Sequence, residues 1–300
     1  MSAKEITVNN HTLRWGSRTY LMGIINMTPD SFSEDGLLAS GTNQSTMKGE
    51  GLDKAVHQAR QFFASGADIL DIGGESTRPG ASSISAEDEL ERVLPIIQAV
   101  AAELDVLISV DTYKAEVAEA ALDAGAHIIN DVWGFKVDRN LAKVGAIHNA
   151  PVILMHNRSS WVNAEIKERL GGRYIGVPYD NLIEDIKREL LESVNIAHEA
   201  GIPDEHIILD PGIGFGKTVE QNLELLDRSD EIRSLGYPLL LGTSRKSFIG
   251  YTLDLPPDQR LEGTAATVAI AIARGADIIR VHDVAYMSRV IRMTDAIIRR

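Results

Sequence analysis

Ala64-Ser65-Gly66-Ala67-Asp68-Ile69-Leu70-Asp71, Asp123-Ala124-Gly125-Ala126-His127-Ile128-Ile129-Asn130 and Ala273-Arg274-Gly275-Ala276-Asp277-Ile278-Ile279-Arg280 lie over one another position for position. Each reads as a helix end, a stopping glycine and a buried strand. Glycine suits the left-handed residue just beyond a helix. The short Ile/Leu run after it suits a strand covered on both faces. At one common rung an aliphatic residue gives way to a polar one: Asp71, Asn130 and Arg280. A β/α repeat that brings polar groups to matching strand ends describes a (β/α)8 barrel with a site at its mouth.

The rest of the chain extends this rhythm. Strands are expected at 20–26, 68–74, 107–112, 127–132, 151–156, 206–212, 238–243 and 277–283. Helical patterns lie between them, among them Ala86–Ala102, Lys114–Ala124, Asn181–Ala200 and Val219–Ser234. Strict alternation favours a parallel sheet. An open doubly wound sheet is the alternative, and the polar residues at so many strand ends favour the barrel. Residues 1–19 are expected to form a short β-hairpin closing the barrel bottom, and residues 20–300 the single α/β barrel domain. Three segments break the rhythm: 27–51, 74–85 and 157–179. Long loops of this kind are usually functional, and all three fall on the C-terminal face of the barrel.

Bulk properties narrow the function. The chain has 300 residues, 44% hydrophobic, with no apolar run of membrane-spanning length. The start, Met1-Ser-Ala-Lys-Glu, has no apolar signal region, so no export is expected. Cysteine is absent, which removes disulfides, thiolate metal sites and thiol nucleophiles, and fits a cytoplasmic location. Thirty basic against 43 acidic residues give a formal charge of −13. That argues against nucleic-acid binding, which needs a basic face. It also means that an anionic substrate would need local cations against the global field.

The strand ends supply Asn26, Asp71 with Glu75, Asp111, Asn130 with Asp131, Met155 with His156, Asp210, Thr243 to Lys246, and Arg280 with His282. Any one of these has an ordinary reading. Asp111, Asp131 and Asp283 each stand where a helix cap would. Eight strand ends supplying such groups together are harder to explain as caps. No His-x-His or His-Glu-x-x-His occurs, so a zinc site is not expected. Acceptors such as Asp111 and Asp210, with the mixed Asn130, suit a flat heterocycle with an amino-pyrimidine edge. The cations Lys246 and Arg280 suit an anionic leaving group or carboxylate. Arg280 and His282 alternate on one strand and so face the same way. Asp210-Pro-Gly-Ile-Gly-Phe-Gly-Lys-Thr mimics a P-loop, but Pro211 occupies the place of that motif's first glycine. It reads instead as a tight turn that lets backbone and Phe215 approach a ligand. No strand-end group looks like a nucleophile paired with a base, so no covalent intermediate is expected.

These motifs together resemble the dihydropteroate synthase family. The matches are Gly23-Ile-Ile-Asn-Met-Thr-Pro-Asp-Ser-Phe-Ser, Asp71-Ile-Gly-Gly-Glu-Ser-Thr-Arg-Pro-Gly, Ser109-Val-Asp-Thr, Ile129-Asn-Asp-Val, Leu154-Met-His, Leu209-Asp-Pro-Gly-Ile-Gly-Phe-Gly-Lys, Ser244-Arg-Lys-Ser and Arg280-Val-His-Asp. The resemblance implies condensation of a dihydropterin methyl diphosphate with 4-aminobenzoate, with diphosphate leaving. It implies Mg²⁺ as cofactor, with Asn26 as its contact, since a hard oxygen ligand suits that ion. Asp210, Asn130, Asp111 and Lys246 are implied to hold the pterin, with Met155 and Phe215 in the same substrate-binding set. Arg280 and His282 are implied to bind an anion. Thr77 and Arg78 fall in one mobile loop and Asp30 to Ser33 in another. Phe32 and Pro79 would flank the aminobenzoate ring and Ser247 would meet its carboxylate. Asp30, Arg78, Asp111 and Lys246 form the implied catalytic set. The family also implies a homodimer of a soluble enzyme, with small molecules as its partners.

Three departures from the family pattern stand out: the bulky Trp133 and Phe135, the His156-Asn157-Arg158 end of the fifth strand with its longer loop, and a first loop extended over 37–51. None touches the matched pterin positions. Two rival functions remain: a methyltransferase that binds methyltetrahydrofolate in a related barrel, and a non-catalytic pterin-binding paralogue. The Thr-Arg-Pro-Gly loop and Ser-Arg-Lys-Ser argue against both.

Overall fold

The computed structural model describes residues 5–27, 44–77, 81–160, 164–167 and 169–299. The chain opens with an antiparallel hairpin of β1 (Glu5–Val8) and β2 (His11–Arg14). Its two-residue turn, Asn9-Asn10, has φ of 44° and 67°. Asparagine tolerates that left-handed conformation, which the tightest hairpin turns need.

Eight parallel strands follow: β3 (Tyr20–Asn26), β4 (Ile69–Gly73), β5 (Leu107–Asp111), β6 (Ile128–Asp131), β7 (Val152–Met155), β10 (Ile207–Asp210), β11 (Leu240–Leu241) and β12 (Ile278–Val281). Neighbours run β10-β7-β6-β5-β4-β3-β12-β11. A parallel bridge between Leu209 and Leu239 joins the two edges, and the sheet closes. The helices around it are α1 (Gln44–Ala64), α2 (Ala86–Glu103), α3 (Ala115–Asp123), α4 (Asn140–Ile147), α5 (Leu182–Ala200), α6 (Val219–Asp227), α7 (Ser229–Arg233), α8 (Ser247–Leu253), α9 (Leu261–Ala273) and α10 (Val284–Ile298). The glycines of the repeat do what the pattern requires: Gly66, Gly125 and Gly275 stand at φ of 93°, 111° and 92°.

Three expectations are corrected. The stretch 27–51 is not loop throughout, because α1 begins at Gln44; Gly49 and Gly51 dilute the helical propensity there. Residues 157–179 contain a second antiparallel hairpin, β8 (Ala164–Lys167) with β9 (Gly171–Tyr174). The helix read over Val219–Ser234 breaks at Arg228, whose φ and ψ of −108° and 20° leave the helical region.

The core has two layers. Between strands and helices lies a large aliphatic shell. Inside the barrel lies a smaller one, to which every strand contributes: Met22, Ile69, Leu107, Ile128, Ile153, Ile208, Leu240 and Ile278. Ile6 and Leu13, paired across the N-terminal hairpin, pack under this layer. The barrel floor is thus apolar and plugged. Side chains alternate along a strand, so the next inward rung lies two residues further on.

Candidate functional site

That next rung reads Ile24, Asp71, Ser109, Asn130, Met155, Asp210, Gly242 and Arg280. An apolar floor carrying a polar rung above it is the pattern of a barrel with chemistry at the C-terminal ends of its strands. Most of this rung lines a cleft offering about 450 Å³ of free space, open solvent included. Asp111, Thr77, Val132, Phe215, Ser244, Lys246 and His282 complete its wall. The sequence thus brought together Asp111, Asn130, Met155, Asp210, Phe215, Lys246, Arg280, His282 and Thr77. Ser247 opens α8 beside Lys246 and does not line the cleft. Asn26 ends β3 at the mouth. Asp30, Phe32, Arg78 and Pro79 lie outside the described residues.

A buried ion-pair network ties the rung together. Arg280 donates from Nε to Asp71 and from Nη2 to Asp111, each at 2.6 Å. Asn130 donates to Asp71 at 3.2 Å. Burial works against the charge on Arg280, yet Asp71 and Asp111 hold its pKa above the usual value. Burial pushes the Asp111 carboxyl up to about 7, with Arg280 pulling the other way. Asp71 is fully buried. The sequence places it at a strand end but gives it no role, because its partner lies 209 residues away.

Asp210 sits across the barrel. Its Oδ1 accepts the backbone N–H of Gly212 at 2.7 Å, and burial raises its pKa. The turn after it is closed by its own lysine. Lys217, 2% exposed, donates to the carbonyls of Gly212 and Phe215 and to His156 Nδ1, at 2.9, 3.1 and 3.1 Å. This is the physical content of the P-loop look-alike: the lysine turns inward and braces the loop from within. Gly212 needs to be glycine, since its φ is 72° and a Cβ would meet the His156 carbonyl at 1.8 Å. With Nδ1 accepting from Lys217, His156 donates from Nε2 to Glu189 at 3.1 Å. Burial and Lys217 push His156 down to about 4, so the imidazole is neutral. Burial opposes the charge on Glu189, but His156 and Arg158 hold that carboxyl below the usual range. His156 supports the turn from beneath the cleft. The sequence motif names Lys217 and His156 but not their contact.

Beside this turn, from the end of the neighbouring strand β11, Lys246 donates to the Ile213 carbonyl at 2.6 Å and stands 4.1 Å over the Phe215 ring. Burial lowers it to about 8. The neighbouring Arg245 turns away and pairs with Asp283, so the Asp283 side chain does not cap α10. Asp131 does serve its turn, accepting from the N–H groups of Trp133 and Phe135. Asp111, read as a possible cap, is a wall residue instead. One premise of the sequence reading, that no strand-end hydroxyl stands beside a base, is corrected by geometry. Ser244 Oγ lies 3.0 Å from His282 Nδ1, and both line the cleft. The structure therefore does hold a hydroxyl beside an imidazole, from the ends of two neighbouring strands.

Among the described residues no group of three or more His, Asp or Glu side chains is placed to hold a metal ion. The donor set at the mouth fits Mg²⁺ only in the mode that ion favours, with one protein oxygen, waters and substrate phosphate oxygens. Asn26, at the end of β3, carries an oxygen of that kind. No described helix is long and apolar enough to cross a membrane.

The model of a family described as pterin-binding enzymes matches residues 22–282. The dihydropteroate synthase of Clostridium beijerinckii is 52% identical over 286 residues, covering 95% of this chain and 96% of the relative. The dihydropteroate synthase of Clostridium difficile, solved in the presence of pteroic acid, superposes with a TM-score of 0.83 at 47% identity. That match covers 95% of this chain and 99% of the other. The Xanthomonas albilineans dihydropteroate synthase, solved with 4-aminobenzoic acid, gives a TM-score of 0.85 at 36% identity, covering 99% and 98%.

Proposed function

The chain belongs to the pterin-binding enzymes and, within them, to the dihydropteroate synthase family, and from that premise we propose roles for its barrel mouth. The protein is a transferase of folate biosynthesis. It condenses 7,8-dihydropterin-6-ylmethyl diphosphate with 4-aminobenzoate to give 7,8-dihydropteroate and diphosphate. The observation that carries the residue roles is the acceptor set Asp111, Asn130 and Asp210 facing Lys246 and Arg280 in one cleft.

Asp210 takes the two N–H groups of the pterin's amino-pyrimidine edge. Asn130 and Asp111 meet the other edge, and Lys246 donates toward the ring carbonyl and nitrogen. Met155 and Phe215 give the flat ring its apolar walls. The bond from the methylene carbon to the diphosphate oxygen breaks, and its electron pair leaves with the diphosphate. The amine lone pair of aminobenzoate then forms the new C–N bond, and the amine proton passes to solvent. His282 and Arg280 face the departing anion, with Arg78. Mg²⁺, held by Asn26 and diphosphate oxygens, would neutralise charge on the leaving group. Thr77, Pro79, Phe32 and Ser247 form the aminobenzoate side, and Asp30 joins the catalytic set. By analogy with the family we read the protein as a homodimer, the absence of cysteine suits a cytoplasmic location, and its partners are these small molecules. Sulfonamides, which present a similar aniline, should compete for the aminobenzoate side.

The test is diphosphate release by the purified protein, measured with both substrates and then with either one omitted. Release that requires 4-aminobenzoate is the expected result. Pterin binding without any release would make the protein a non-catalytic paralogue.

A further inference from the structure

The β8–β9 hairpin grows from the loop after β7 and carries little apolar surface of its own. Among its described residues the one buried is Tyr174, 6% exposed, at the end that pairs with Ala164. The Tyr174 ring lies 5.9 Å from that of Phe215 and packs in a cluster with Val132 and Met155. Its hydroxyl donates to the backbone carbonyl of Thr77 at 3.0 Å. Thr77 is thereby held from across the mouth by a segment remote in sequence. A second cavity of about 240 Å³ of free space adjoins the first, and Thr77, Tyr174 and Phe215 are among its walls.

The far flank of the hairpin is anchored to the other side of the mouth. Arg260, 3% exposed, donates to the carbonyl of Leu170 at 2.7 Å and to that of Arg245 at 2.9 Å. It thus joins the hairpin turn to the residue beside Lys246. Arg173 stacks 4.2 Å over Tyr251 of α8, and Arg169 pairs with Asp254 just beyond that helix. The hairpin therefore spans from Thr77 to the Arg245–Ser247 segment. Those are the two described segments assigned above to the aminobenzoate side.

We propose that this hairpin fixes the width of the aminobenzoate pocket, with Tyr174 as a positioning residue that holds Thr77 in place. The inference rests on the condensation reading. It assigns Tyr174 no contact with the reacting atoms. The pterin contacts come from the strand ends and do not depend on the Tyr174 hydroxyl. Its removal should therefore be felt by one substrate and not the other.

Tyr174→Phe keeps the ring and deletes the brace. One hydrogen bond of this kind corresponds to about a three- to tenfold effect. The KM for 4-aminobenzoate should rise by that factor, while the KM for the pterin diphosphate and kcat stay within about twofold. Hydrogen exchange in a peptide covering residues 74–77 should quicken. Arg173→Gln, at a partly exposed site on the other flank, should raise the same KM by a smaller factor. An unchanged aminobenzoate KM in both variants overturns the proposal. So does an equal rise in both KM values, or a loss confined to kcat, since either marks general packing. If the parent protein releases no diphosphate, the condensation reading fails. The exchange measurement then decides the brace separately, and unchanged exchange at 74–77 overturns it.

Discussion

Replacing Asp210 tests the pterin-binding role proposed for it against the turn contact that the fold shows. One oxygen holds the Gly212 N–H at 2.7 Å and so shapes the turn. The remaining lone pairs face the cleft. A carboxylate offers about four acceptor sites, so two pterin N–H groups can be accommodated beside the turn bond. Hydrogen bonds to a charged group are each worth about 1.5–3 kcal/mol. Bonds sharing one carboxylate do not add fully, so about 3 kcal/mol for the pair is the appropriate figure, or roughly a hundredfold in affinity. Asp210→Ala removes both jobs. Asp210→Asn keeps an oxygen for Gly212 and turns an N–H donor toward the ligand's own donors. Both variants should bind pteroic acid at least about tenfold more weakly by calorimetry, and only the alanine should melt appreciably earlier. The pH dependence has a definite sign. Burial raises the Asp210 carboxyl, and ligand donors favour its ionised form. Affinity should therefore fall as pH drops through the raised value, with proton release on binding. An Asp210→Asn protein that binds within threefold of the parent would refute the reasoning.

Lys246 sits at about 8 because of burial, and its charge is the useful form; kcat/KM for the pterin diphosphate should hold below that pH and fall as pH rises through it. Lys246→Arg should carry the falling limb upward, and a profile flat to about pH 10, the range of an ordinary lysine, would count against the role. His156 titrates at about 4 in the fold against about 6.5 unfolded, so the unfolded chain binds the extra proton first and stability falls as pH drops between those values, by on the order of 3 kcal/mol from this group. Urea midpoints followed across that window should show the loss, and His156→Asn, which keeps an acceptor for Lys217, should flatten it; equal slopes would remove His156 from the account. Ser244→Ala should lower turnover no more than about tenfold, the scale of one lost hydrogen bond, with no pterin adduct in the mass spectrum of the quenched parent; abolished turnover together with a trapped adduct would instead make Ser244 a nucleophile.

The fold was legible wherever the signal was local. Gly66, Gly125 and Gly275 mark helix ends because a left-handed residue is needed there. Each strand announces itself as a short Ile/Leu run. The rung carrying Asn130, Asp210 and Arg280 follows from a period of two along strands that share a floor. What stayed hidden was pairing between distant segments. Nothing local says that Arg280 is committed to Asp71 and Asp111, or that Lys217 folds back on Gly212 and Phe215 instead of facing a phosphate. The β8–β9 hairpin escaped because the alternation in Ala164–Lys167 runs for only four residues, its Ile166 facing solvent, and Gly171-Gly172 weakens the partner strand. Its stability comes from α8 and Thr77, which the sequence does not place beside it. Ser244 and His282 met for the same reason: adjacent barrel strands β11 and β12 are distant in the chain.

The charge of the site follows from these pairings. On net charge alone, an acidic protein that binds a diphosphate needs a pool of spare cations, yet Arg280 already lies against two carboxylates. The reaction supplies the reason for that arrangement. As the C–O bond opens, positive charge spreads into the dihydropterin and negative charge gathers on the diphosphate. In the roles proposed above Asp111 stands on the pterin side, and Arg280 reaches it from β12 at 2.6 Å. An ion pair so placed would present an anion to the forming cation and a cation to the leaving anion. It is fixed before the reaction begins, so little reorganisation is required when charge separates. A serine attack would gain less from it, because a tight displacement builds little cation on the ring. Ser244 is moreover occupied: its oxygen faces the backbone N–H of His282 at 3.2 Å as well as the imidazole. That hydroxyl is better placed to orient His282 toward an anion than to attack carbon. Loose substitution, with the amine arriving after the diphosphate has begun to leave, is the pathway that these buried charges favour.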